Sequence, residues 1–226
     1  MKNCFKKNIR KNYFYIDCLD INYLKTKNAD KLLLKLDFDY YEGTILDLSY
    51  FNICDYGVNF LIFFNLKKIQ KLYLIETNIS DKAIEHLRNC EFIQLKELYL
   101  SETKITDKAI KHLIKCDFKQ LQVLYLYKTK ITDRAILYLI KCQFKQLKTL
   151  SLSRTKITDK AIKSMIRSNF RQLEKLYLYG SKITGVALGY LIKCNFNQIQ
   201  EISLFLYTEF RGVSRFKSKY PKCKII

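Results

Sequence analysis

From Ile69 to Gln198 the chain switches between two hydrophobic periods, and the switch recurs at a fixed interval. One unit, from Leu95, reads LKELYLSETKITDKAIKHLIKCDFKQ. Its first half, L-x-x-L-x-L, alternates apolar and polar positions as a half-buried strand does around Leu98-Tyr99-Leu100. Its second half follows a Thr-Asp pair and sets Ala109, Ile110, Leu113, Ile114 and Cys116 on one helical stripe. Thr106 or Asp107 is placed to cap that helix, and an aspartate there suits the positive end of the helix dipole. Units starting at Ile69, Leu95, Leu121, Leu147 and Leu173 follow one another at 26 residues without insertion. Degraded units flank them. Gly43 to Lys68 keeps Leu46, Leu48, Ile53, Asp55, Val58 and Leu61, and the stretch from Ile199 keeps Ile202 and Leu204 before diverging.

A single unit of this length cannot bury its own apolar face, so neighbours must stack and share one core. The prediction is an α/β solenoid: a parallel sheet on one side and a row of helices on the other. Strands pack about 4.8 Å apart, whereas helices need roughly 8–10 Å. The mismatch bends the array into an arc or horseshoe with strands on the concave face and helices on the convex face.

The repeated L-x-x-L-x-L-x-x-(N/C/T)-x-I pattern resembles the leucine-rich-repeat family. The ITDKAI segment and the 26-residue length are most similar to its cysteine-containing and GALA-type classes. The resemblance covers residues 43 to about 210 and implies a binding role. It departs at one position, usually Asn or Cys, which here holds Thr77, Thr103, Thr129, Thr155 and Ser181. A hydroxyl there can still bond backbone in the turn after the strand, so a ladder of such bonds is expected.

Residues 1–42 lack the pattern and are read as an N-terminal cap, and residues 43–226 as the repeat domain, with units near 43, 69, 95, 121, 147, 173 and 199, the last a C-terminal cap. Within the caps, Asn28 to Leu36 reads as a short helix and Arg211 to Lys219 as a last helix before Pro221. Cys223 to Ile226 reads as an edge strand. The first 42 residues show no F-box, which carries a Leu-Pro start; the sole proline is Pro221.

If the fold holds, side chains between the leucines face the concave surface. One column then reads Asp47, Tyr73, Tyr99, Tyr125, Ser151, Tyr177, Ser203, and the next Ser49, Ile75, Ser101, Tyr127, Ser153, Tyr179, Phe205. Tyrosine combines a large contact area, a polar tip and few rotors, which suits a recognition surface. The rim beyond runs Tyr50, Glu76, Glu102, Lys128, Arg154, Gly180, from acidic or neutral to basic. Such a gradient would set the register of a partner of mixed charge. The expected site is therefore Tyr73, Tyr99, Tyr125, Tyr127, Tyr177 and Tyr179 with Glu76, Glu102, Lys128 and Arg154, and the expected ligand is a partner protein rather than a small-molecule substrate.

Charge adds a second reading. Lys and Arg number 41 against 21 Asp and Glu, a formal net charge of +20. Lys108, Lys111 and Lys115 share a helical face, as do Lys160, Lys163 and Arg167, and Lys2, Lys6, Lys7, Arg10 and Lys11 crowd the start. Basic convex helices would attract nucleic acid or an acidic membrane. No groove-reading or base-stacking motif accompanies them.

Other signals carry less. Eight cysteines sit in a chain that shows no secretory leader, which points to reduced thiols in the cytoplasm, with export as an effector of a host-associated microbe as the variant. Cys90, Cys116, Cys142 and Cys194 recur at one repeat position, too far apart at helix spacing to bridge. They read as small buried hydrophobes. Only His86 and His112 are present, so neither a zinc site nor a histidine-based catalytic array is expected. No phosphate-binding glycine motif occurs, and no cofactor or enzymatic activity is expected. Asp81, Asp107, Asp133 and Asp159 read as caps of their own helices, and Gly185 in their series predicts a looser helix start.

Overall fold

The computed structural model describes residues 13–14, 43–142, 144–204 and 212–226. The expected helix over 28–36, the basic segment 1–12, Phe205 and Arg211 lie outside them.

Nine strands form one parallel sheet in chain order. They are β1 (Tyr13–Phe14), β2 (Ile45–Asp47), β3 (Lys71–Tyr73), β4 (Glu97–Tyr99), β5 (Val123–Tyr125), β6 (Thr149–Ser151), β7 (Lys175–Tyr177), β8 (Glu201–Ser203) and β9 (Lys224–Ile225). A helix follows each strand from β2 to β8: α1 (Asp55–Phe60), α2 (Asp81–Leu87), α3 (Asp107–Leu113), α4 (Asp133–Leu139), α5 (Asp159–Met165), α6 (Val186–Lys193) and α7 (Val213–Lys219). This is the leucine-rich-repeat solenoid that the 26-residue beat predicts. The expected last helix and edge strand are α7 and β9. The pairing of Tyr13–Phe14 with Ile45–Leu46 was not predicted, because no repeat pattern marks it.

Register is strict. Leu46, Leu72, Leu98, Leu124, Leu150, Leu176 and Ile202 are successive partners across the sheet. Backbone pairing also runs past the short strands: the Leu100 amide donates to Tyr125 O and the Glu102 amide to Tyr127 O, at 2.9 and 2.8 Å. A second ladder follows each turn in the opposite sense, with the Lys104 amide donating to Ile79 O and Lys130 to Ile105 O, both at 3.0 Å. Between sheet and helices lies one continuous core. In the repeat from Leu95, the side chains of Leu95, Leu98, Leu100, Ile105, Ala109, Ile110 and Leu113 are wholly buried. Burial of each leucine contributes about 1.5–3 kcal/mol.

The helix starts are joined to one another, which the sequence reading missed. Thr106 is the N-cap of α3, and its Oγ1 accepts from the Lys108 amide at 3.3 Å. The aspartate of the preceding repeat holds that threonine in place. Asp81 accepts from the Thr106 amide at 2.7 Å, from Thr106 Oγ1 at 2.8 Å and from the Ala109 amide at 3.1 Å. The same clamp joins Asp55 to Ser80, Asp107 to Thr132, Asp133 to Thr158 and Asp159 to Thr184. Each aspartate therefore secures the helix start of the next repeat as well as standing in the first turn of its own. Gly185 offers no such carboxylate, and α6 begins one residue later in its repeat than α2 to α5 do in theirs.

The threonine ladder also takes a different form from the one expected. Thr77, Thr103, Thr129 and Thr155 each donate to the carbonyl three residues back, at 2.6–2.8 Å, within one repeat. Only Ser181 reaches across among these hydroxyls, donating to Leu152 O at 2.9 Å. The repeat cysteines Cys90, Cys116 and Cys142 are half-buried rather than buried, and Cys194 is buried. Each thiol points at the carbonyl one helical turn back, at 3.4–3.7 Å.

Two outcomes follow from this packing. Asp81→Ala should lower unfolding stability by about 2–3 kcal/mol, because hydrogen bonds to a carboxylate are lost at a repeat junction. Asp117→Ala, which breaks only the exposed pair with Lys119 at 2.9 Å, should stay within about 0.5 kcal/mol. Urea unfolding compares them, and equal losses would show that the clamp does not join repeats. The second outcome concerns pH. Burial pushes Cys90, Cys116, Cys142 and Cys194 from the ordinary 9.0 up to about 12. The unfolded chain sheds these protons first, so unfolding releases protons between those values and stability falls as pH rises through that window. The urea midpoint should drop between about pH 8 and about pH 10.5, and less so when all four are alanine. An unchanged slope in that variant would assign the loss to other groups.

Candidate binding face

The strict register carries the tyrosines into a row. Tyr73, Tyr99 and Tyr125 are successive sheet partners, and Ser151 and Tyr177 follow. All four rings are half-buried on the face of the sheet opposite the helices. Tyr73 and Tyr99 stack with centroids 4.3 Å apart and planes within 9°, and Tyr99 and Tyr125 stack at 5.0 Å and 24°. Ser151 does not interrupt the row. Tyr125 and Tyr177, two repeats apart, approach to 6.2 Å and leave the serine 3% exposed beneath. Ser49, Ser101 and Ser153 in the next column are likewise buried, although the alternation assigned them to the open face.

The sequence reading passed over a third column of this face, the first residue of each strand: Ile45, Lys71, Glu97, Val123, Thr149, Lys175 and Glu201. It fixes the tyrosines electrostatically. The Tyr99 hydroxyl donates to Glu97 Oε2 at 2.8 Å, while Glu97 Oε1 pairs with Lys71 Nζ at 2.7 Å. Burial first, then the hydrogen bond to Glu97, raises the Tyr99 hydroxyl well above its usual range. Burial and the neighbouring Glu201 push Tyr177 up to about 12, and burial with Glu201 and Glu97 raises Tyr125. Burial and Glu97 raise Tyr73. All four phenols stay protonated at neutral pH, and Tyr99 spends its one donor on Glu97. Strand alternation was the signal that could have found this column, since positions 97, 99 and 101 share one face.

The rim residues sit where predicted, but their backbone was not foreseen. Tyr50, Glu76, Glu102, Lys128 and Arg154 all have φ between 52° and 64°, and Gly180 has 67°. This left-handed conformation favours glycine and costs other residues roughly 1–2 kcal/mol. Gly180 in the series was the available clue. The rim charges also meet within the protein. Lys128 Nζ pairs with Glu102 Oε2 at 2.5 Å, and the hydrogen bond with Glu102 raises the Lys128 ammonium. The Arg154 guanidinium lies 5.8 Å from the Tyr127 ring centroid and 5.9 Å from that of Tyr179. The structure thus brings Tyr73, Tyr99, Tyr125 and Tyr177 into one row and Tyr127, Arg154 and Tyr179 into a second cluster. It leaves Glu76 exposed at the rim.

Gly180 makes room for that cluster: a Cβ there would stand 2.9 Å from Arg154 Cγ. Gly180→Ala should therefore lower stability by about 1 kcal/mol. Gly189→Ala, in α6 where nothing lies within 4 Å of the added methyl, should raise it by about 0.5–1 kcal/mol. Thermal unfolding of both variants reads the signs, and a stabilised Gly180→Ala would remove the strained rim from the description.

Among the described residues, no helix is long and apolar enough to cross a membrane, and no cluster of three or more His, Cys, Asp or Glu is placed to hold a metal ion.

No family model and no curated protein matches the chain. Among solved structures it is similar to an internalin (inlF) from Listeria monocytogenes, at 16% identity and a TM-score of 0.51, covering 80% of this chain and 52% of that one. It is also similar to internalin C2 (inlC2) of the same organism, at 18% identity and a TM-score of 0.50, covering 81% of this chain and 80% of that one. The chain thus spans about half the length of the first and most of the second. At such identities the likeness speaks for the backbone, and it agrees with the register and core above: the fold is a leucine-rich-repeat solenoid.

Proposed function

We propose that this protein is a non-enzymatic scaffold that holds a partner protein against the tyrosine row of its concave face. The observation that carries the reading is the stacked series Tyr73, Tyr99, Tyr125 and Tyr177. Rings held by one another and by Glu97 lose little freedom when a partner arrives, so contact area converts to affinity with a small entropic loss. Charge on this face is balanced, with Lys71 and Lys175 against Glu97 and Glu201. That suits a protein surface better than a polyanion. Tyr127 and Tyr179, bracketing Arg154, extend the contact surface, and Glu76, Glu102, Lys128 and Arg154 set its register.

In this reading residues 1–42 cap the array and residues 43–226 carry the repeats. The cysteine-containing and GALA-type classes remain the best match for the repeat, supported by ITDKAI and by the recurrent cysteine at the end of the helix. Those thiols pack beside the core as hydrophobes, which fits a reducing, cytoplasmic setting.

The test is affinity capture from the native cell with wild type and with a Tyr99→Ala, Tyr125→Ala, Tyr177→Ala variant, folding checked by circular dichroism. The leucine core is untouched, so the variant should fold. Its partner should be lost, with affinity down about a hundredfold or more, since buried aromatic anchors contribute about 2 kcal/mol or more each. Identical partners at unchanged affinity would contradict the concave-face reading.

A further inference from the structure

The convex side carries a second surface that the tyrosine row does not explain. On α4, Leu137 stands at the repeat position that holds Lys111 on α3 and Lys163 on α5, with Glu85 at the equivalent place on α2 and Gly189 on α6. Leu137 is 50% exposed. It opens onto a groove between α4 and α5 floored by Ile140 and Ile166, both half-buried against the core. Lys141, Lys163 and Arg167 wall that groove. None of the three forms an ion pair among the described residues.

Nearby acids are already committed. Asp107, Asp133 and Asp159 are held in the clamps to Thr132, Thr158 and Thr184, and Asp117 pairs with Lys119. The groove is therefore apolar at the bottom and positive on its walls, and its cations have no ion-pair partner among the described residues. Leu137 is not an isolated apolar side chain on this surface, since Ile140 and Ile166 line the same groove.

We propose that this groove docks an acidic amphipathic segment of a partner protein, its apolar side chains against Leu137, Ile140 and Ile166 and its carboxylates against Lys141, Lys163 and Arg167. Helix-in-groove docking needs this combination of apolar floor and charged walls. Nucleic acid would use the cations and leave the isoleucine floor uncovered. A bilayer would need protruding apolar side chains, whereas Ile140 and Ile166 are recessed. The site is independent of the concave face and stands or falls apart from it.

The experiment uses the full chain and a fluorescent amphipathic helical peptide of about 14 residues, leucines on one face and glutamates on both flanks. A matched peptide carries lysine for every glutamate. Phosphatidylserine vesicles and a single-stranded oligonucleotide are the remaining probes. The acidic peptide should bind at moderate salt and the basic one should not. Leu137→Lys, which removes the apolar contact while adding a cation, should weaken binding about tenfold, as should Lys163→Glu with Arg167→Glu, and the charge-reversed variant should now prefer the basic peptide. Tyr99→Ala should leave binding unchanged. The proposal is overturned if both peptides bind alike, if Leu137→Lys has no effect, or if vesicles or oligonucleotide bind while the acidic peptide does not.

Discussion

Parallel pairing at a constant offset of 26 residues is the constraint on which everything else in this protein rests. Side chains on a strand alternate faces, so a slip of one residue would turn every leucine outward and every tyrosine inward. Three sets of bonds oppose such a slip: the strand ladder, the reverse ladder after the turn, and the aspartate that reaches from each helix start to the next. The first two are backbone bonds and indifferent to side chain. The third is written in the Thr-Asp pair, and it explains why a clamp recurs through five junctions, the last joining Asp159 to Thr184.

From this constraint the two faces acquire different characters. On the sheet face, strand spacing brings equivalent side chains close enough for rings to stack, and near-neutral charge is built from Lys71 beside Glu97 and Lys175 beside Glu201. On the helix face, wider spacing keeps equivalent side chains apart, so cations can repeat without severe repulsion. The sheet thereby keeps a rigid aromatic surface of balanced charge.

Much of this could be read from the residues because the repeat supplies many copies of each position. Leu98 and its equivalents fixed the strand, Ala109 and Ile110 the helix, and Tyr99 the open face. What escaped reading depended on contacts between repeats. Asp81 looks like a cap of α2 until Thr106 is placed beside it in space. Ser151 looks like a gap in the tyrosine row until Tyr125 and Tyr177 lean over it. Glu102 and Lys128 look like a charge gradient until they are found paired, on backbone whose left-handed turn only Gly180 betrays. Cys116 looked like a core residue, yet it sits at the half-buried edge of the helix layer. Tyr13–Phe14 gave no sign of joining the sheet, since two residues carry no periodicity.

In-register stacking is tested most directly by disulfide trapping on the concave face. Neighbouring strands place register mates about 4.8 Å apart, inside the range a disulfide spans, whereas strands two repeats apart are about 9.6 Å away and outside it. With cysteines introduced as Tyr73→Cys and Tyr99→Cys, mild oxidation should give a single bridged species, identified by peptide mass spectrometry. Tyr73→Cys with Tyr125→Cys should remain open under the same conditions. Bridging of the second pair as readily as the first, or failure of the first pair in a folded protein, would contradict the side-by-side row.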